Sequence, residues 1–104
     1  MINSEIILIS DKLQSVIKPK QIYLFGSFAR NNYTENSDYD FYIVVSDDAG
    51  DTIAITQKAY KSLRGMRKRP VDIIVSYESN FKKRKELDTL EKNVAQEGIL
   101  LYGK

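Results

Sequence analysis

Two carboxylates one residue apart, Asp38 and Asp40, stand at the head of an apolar run, Asp38-Tyr39-Asp40-Phe41-Tyr42-Ile43-Val44-Val45. In a strand, residues i and i+2 face the same way, so both acids lie on one face, about 6.6 Å apart along the backbone, with Tyr39 and Phe41 on the other. Neighbouring carboxylates repel, and a cation between them is the usual means of keeping both ionised. Oxygen donors select a hard ion, Mg²⁺ or Mn²⁺. Taken alone, the pair reads more readily as an acidic, solvated strand entrance. Two other features extend it. Gly26-Ser27 directly follows the apolar run Gln21-Ile22-Tyr23-Leu24-Phe25. A glycine there lets backbone N–H groups approach an anion, and the serine hydroxyl can add a contact to phosphate oxygens. Asp72 interrupts Val71-Asp72-Ile73-Ile74-Val75, where burial without a partner would be costly. Three carboxylates on two strands beside a phosphate-holding turn describe metal-assisted phosphoryl or nucleotidyl transfer, with two-metal chemistry as its common form.

The residue types that are missing narrow the chemistry further. The 104 residues contain no His and no Cys. This excludes Ser-His and Cys-His nucleophiles, imidazole and thiolate zinc sites, and disulfides, and it fits a reducing compartment such as the cytoplasm. Sixteen Lys and Arg against fourteen Asp and Glu leave a net charge of +2, too little to drive nucleic-acid binding through the overall field. Arg30 is the cation nearest the phosphate turn, and its planar guanidinium suits phosphate as well as a surface acid. The run Arg64, Arg67, Lys68, Arg69 reads as a solvated helix end, where the dipole favours cations. Lys82-Lys83-Arg84-Lys85 falls at the expected start of the closing helix, where the dipole disfavours them. It reads as a solvated run, or as a surface for an acidic partner or RNA.

The elements that must hold these residues follow from periodicity. Ile6, Ile9, Leu13, Val16 and Ile17 recur at helical spacing, with Asn3 or Ser4 as cap and Pro19 as stop. Residues 21–25 form a strand, residues 28–37 a loop with a short helical turn after Ser27, and residues 38–45 a second strand. A polar exit loop leads to a helix over 52–66, supported by Ile53, Tyr60 and Leu63. Residues 71–76 are the third strand. A closing helix spans 81–97, with Leu87, Leu90 and Val94 on one face and Gly98 as its stop, and residues 99–102 add an edge strand. The expected fold class is α/β, a small mixed sheet packed with helices, in a single domain over residues 1–104. So small a core favours an open cleft over an enclosed pocket. No apolar stretch is long enough to span a bilayer and no signal peptide is evident, so the chain reads as soluble.

Gly26-Ser27-Phe28-Ala29-Arg30, a loop, Ser37-Asp38-Tyr39-Asp40 and then Asp72 in the next strand resemble the minimal nucleotidyltransferase (MNT) group of the DNA polymerase β-like superfamily. The resemblance spans nearly the whole chain. It implies the nucleotidyltransferase fold and an antitoxin paired with a HEPN ribonuclease toxin, which receives AMP from ATP on a tyrosine. By the same resemblance Gly26 and Ser27 hold the triphosphate, and Asp38 and Asp40 bind two Mg²⁺ (or Mn²⁺) ions. Asp72 completes the metal site and helps deprotonate the acceptor. The group usually has Gly after the Arg, whereas Asn31 stands here, a residue that tolerates the left-handed conformation. Two rival readings remain open: a non-catalytic module that masks the toxin, and a basic-patch RNA binder.

Overall fold

The computed structural model describes residues 2–66 and 68–103. Chain order is α1 (Ser4–Ile17), β1 (Gln21–Phe25), α2 (Gly26–Ala29), β2 (Tyr39–Val45), α3 (Thr52–Ser62), β3 (Val71–Tyr77), α4 (Glu78–Arg84), α5 (Leu90–Glu97) and β4 (Ile99–Tyr102). The strands form one mixed sheet in the order β3-β2-β1-β4, with β1 antiparallel to both β2 and β4 and β2 parallel to β3. This is the small mixed sheet with helices that the sequence predicts.

Period-2 alternation divides the side chains between two apolar layers. Ile22, Leu24, Tyr39, Phe41, Ile43, Val45, Val71 and Ile73 pack against Ile6, Ile9 and Leu13 of α1 and Ala59 of α3. Tyr42 and Val44, with Tyr23, Phe25 and Ile74, face the opposite way and are covered by Phe81 of α4 and Val94 of α5. Asp40 and Asp72 lie in line with the second set, two residues before Tyr42 and Ile74. They therefore open on the α4–α5 face, while Tyr39 and Phe41 sit in the larger core, as the spacing predicts.

Local signals account for most boundaries. The Asn3 side chain accepts from the Ile6 N–H at 2.8 Å and caps α1, which ends on left-handed Lys18 (φ 56°) just before Pro19. Asp51 caps α3. α3 stops at Ser62, short of the predicted Met66, and turns instead through Leu63–Met66. Its Ile53 is 66% exposed and takes no part in the core. Arg67 lies outside the described residues.

The single closing helix predicted over 81–97 is two helices. Thr89 breaks it: its hydroxyl donates to the Arg84 carbonyl and accepts from the Lys92 N–H, ending one helix and capping the next. The apolar face expected across Leu87, Leu90 and Val94 is thereby lost, since Leu87 and Leu90 are exposed and only Val94 is buried. The basic run changes character as well. Because α4 begins at Glu78, Lys82, Lys83 and Arg84 occupy its last turn, where the helix dipole favours cations. Among the described residues no helix is long and apolar enough to cross a membrane.

Candidate active site

β2 is the buried heart of the sheet, and Asp40 is its one residue that is not buried. It stands opposite Phe25 of β1 and opposite Asp72 of β3. Asp38 lies just before β2 and is half-buried. Burial, reinforced by the charges of Asp72 and Asp38, pushes the Asp40 carboxyl up to about 6, with Arg30 pulling the other way. The sequence suggested Asp72 as the buried, uncompensated carboxylate. The structure reverses this: β3 is an edge strand, Asp72 is exposed, and the desolvated acid is Asp40.

Gly26 ends β1 and opens α2 with φ +73°, and a Cβ there would run into Oδ2 of Asp40. Glycine is required twice over, for the backbone angle and for the space beside the carboxylate. Ser27 follows in the first turn of α2, half-buried, its carbonyl accepting from the Asn32 N–H at 3.0 Å. Arg30 caps α2 through its N–H to the Gly26 carbonyl and keeps its side chain exposed. Asn31 takes the left-handed angle expected of it, φ 60°. Gly26, Ala29 and Arg30 face Leu90, Asn93 and Glu97 of α5 across a cleft of about 60 Å³. A larger hollow, about 550 Å³, is lined by Glu5, Leu8, Tyr39, Met66 and Arg69. It lies on the α1 side of the sheet, away from the carboxylates.

The structure thus brings Gly26, Asp40 and Asp72 into contact or register, with Asp38 and Arg30 close enough to act on Asp40 electrostatically. Among the described residues no three acidic side chains converge as a preformed metal cage. The donor set nonetheless fits a hard divalent ion. Asp40 and Asp72 stand side by side on neighbouring strands with Asp38 just before them, and oxygen donors of this kind suit a hard cation.

Sequence reasoning missed the supports of this site. Arg69, placed with a solvated basic run, is partly buried and donates to the carbonyls of Thr34, Glu35 and Ser37. Arg84 and Lys85 also have local partners: Arg84 Nε donates to Glu91 at 2.9 Å, and Lys85 lies over the Phe81 ring. The other oxygen of Glu91 accepts from the Tyr42 hydroxyl at 2.8 Å, tying α5 to β2 two residues beyond Asp40. The clue available in the sequence was Glu91 itself, an acid at a helical position otherwise set for the core.

The sequence matches the nucleotidyltransferase domain family over residues 6–101. A protein of Methanocaldococcus jannaschii, named as a candidate protein adenylyltransferase, is 36% identical over 83 residues, 80% of this chain and 78% of its own length. Among solved structures, a candidate nucleotidyltransferase of Sulfolobus solfataricus superposes with a TM-score of 0.66 at 22% identity, covering 96% of this chain and 78% of that one. A toxin–antitoxin complex with AMP-PNP gives 0.62 at 24% identity, covering 98% and 75%. A doubly Asp-to-Glu mutant of the toxin–antitoxin pair MntA–HpeT gives 0.59 at 25% identity, covering 93% and 71%. With the family matched over residues 6–101 and a relative 36% identical over 80% of its length, this chain belongs to the nucleotidyltransferase domain family.

Proposed function

We propose that this chain is a cytoplasmic antitoxin that transfers AMP from ATP to a tyrosine hydroxyl of a partner HEPN-type toxin, with Mg²⁺ or Mn²⁺ as the working ion. The observation that carries the reading is the Asp40 carboxyl, in register with Asp72 and packed against the backbone of Gly26. The candidate protein adenylyltransferase relative and the toxin–antitoxin neighbours, one with AMP-PNP, support the acceptor and nucleotide classes.

In this reading Gly26 and Ser27 hold the triphosphate, and Arg30 offers its guanidinium to a phosphate oxygen. Asp38, Asp40 and Asp72 hold the ions. The bound ions would offset phosphate charge and acidify the attacking hydroxyl. Asp72, exposed on the edge strand, is the carboxylate most accessible to a hydroxyl arriving on another macromolecule. The acceptor oxygen attacks the α-phosphorus, its proton passes to Asp72, the bond to the β-phosphate breaks and pyrophosphate leaves.

The rival is a masking module that neutralises by occupying the toxin's surface. Asp72→Asn separates the two, because it removes a charge from the cleft and leaves a broad docking surface intact. Neutralisation by Asp72→Asn should fail at matched protein levels. Full protection with no nucleotide on the partner would replace transfer with masking.

A further inference from the structure

Arg69 lies off the carboxylate face, on the segment that leads into β3. Its Nη1 donates to the carbonyl oxygens of Thr34 at 3.0 Å, Glu35 at 2.9 Å and Ser37 at 3.2 Å. The guanidinium carbon stands 5.1 Å from the centroid of the Phe28 ring and 5.9 Å from that of Tyr39. Three carbonyls converging on one point bring the negative ends of their dipoles together, and a cation there makes the arrangement favourable.

The base of the clamp is fixed. The Lys68 N–H donates to Glu5 Oε2 at 2.8 Å, the Tyr39 hydroxyl donates to Glu5 Oε1 at 2.6 Å, and the Tyr39 N–H donates to the Pro70 carbonyl at 3.0 Å. The captured loop has a turn of its own, with the Ser37 N–H on the Thr34 carbonyl and the Thr34 N–H on Ser37 Oγ. Asp38 follows Ser37 directly and precedes the first ladder pair, Tyr39 with Val71. Sheet pairing therefore fixes Asp40 and Asp72 but leaves Asp38 to be placed by the loop.

The geometry points to Arg69 as a positioning residue, one that sets Asp38 relative to Asp40 and Asp72 by fastening the 34–37 loop to the strand that carries Asp72. This rests on the reading of the three carboxylates as a divalent-cation site. Arg69 touches neither nucleotide nor ion in this account; it acts through the loop. A residue of purely structural value would lower the melting temperature and leave cation affinity alone.

The test is a Mn²⁺ titration of the thermal shift in the full chain, with no nucleotide or partner, for wild type, Arg69→Met and Arg69→Lys. Met keeps the apolar stem and removes donors and charge. Lys restores charge and donors but is one atom short. The Mn²⁺ concentration giving half the maximal shift should rise about tenfold in Arg69→Met, the scale on which supports behind metal ligands act, and less in Arg69→Lys. If Arg69→Met does not fold, the Arg69→Lys shift decides. A half-saturation equal to wild type in the folded variants would overturn the positioning role while leaving the cation site standing. A wild-type chain with no response to Mn²⁺ would overturn both.

Discussion

Asp40 and Asp72 face each other in register across a parallel strand pair, and the Asp40 carboxyl lies directly against the backbone of Gly26. Ion-free, this arrangement works against ionisation of Asp40, where burial and the neighbouring acidic charges act together. A cation reverses the balance. In the proposed function, the same geometry that costs stability in the free protein would favour a divalent ion, with consequences for how stability varies with pH.

Asp40 loses its proton near 3.8 when unfolded and near about 6 when folded. Over that window the native state holds a proton that the unfolded state has released, so this group lowers stability as pH rises from about 4 to about 6, and the loss persists above. Asp40→Asn should therefore melt higher than wild type at neutral pH without ions, and the difference should vanish near pH 4. Stabilisation of wild type by Mn²⁺ should grow as pH passes 6. Melting curves of both proteins across this range, with and without Mn²⁺, check the sign.

Gly26→Ala should damage transfer more than stability. The left-handed angle costs on the order of 1 kcal/mol for alanine. The added Cβ also meets the end of the Asp40 side chain, which can swing away and so break its pairing with Asp72. Activity should be lost in a protein that still folds, as read by circular dichroism alongside a transfer assay.

Ser27→Ala removes one hydroxyl and keeps the backbone of the turn, so nucleotide binding should weaken by about 1 to 3 kcal/mol without being abolished. Arg30→Ala should act in the same direction, because its side chain is exposed and close enough to influence Asp40. Calorimetric titration with a non-hydrolysable ATP analogue checks both; unchanged affinity in each would move the triphosphate away from this turn.

Much of this site was legible because its signals are local. The alternation through Asp38, Asp40 and Phe41 set the faces of β2, and Gly26 at the end of an apolar run marked the turn against the carboxylates. What failed depended on partners distant in sequence. Nothing near Asp72 says that β3 lies at an edge, so its exposure and the burial of Asp40 came only with the sheet order. Arg69 looked like one member of a basic run until the loop thirty-odd residues earlier supplied its carbonyls. The break at Thr89 was readable in principle, since threonine is a good cap, but apolar periodicity running across it suggested one helix.

Tyr42→Phe tests the support beneath the site. Burial above all raises the Tyr42 hydroxyl's pKa, and it stays a donor to Glu91. Burial works against the Glu91 charge, but hydrogen bonds from Tyr42 and Arg84 together hold its carboxyl below the usual range. Removing the hydroxyl leaves one oxygen of a buried carboxylate without its partner, so stability should fall by about 1 to 3 kcal/mol in denaturant titration. Transfer per folded molecule should change little.

The central claim is that the bond broken lies between the α- and β-phosphates. The most direct measurement supplies ATP labelled on either the α- or the γ-phosphate to the chain and the proposed toxin partner with Mn²⁺, and follows the label on that partner. Stable label should come from the α-phosphate alone, with release of pyrophosphate and no labelling by Asp40→Asn. Label arriving from the γ-phosphate, or α-label transfer undiminished in Asp40→Asn, would contradict it.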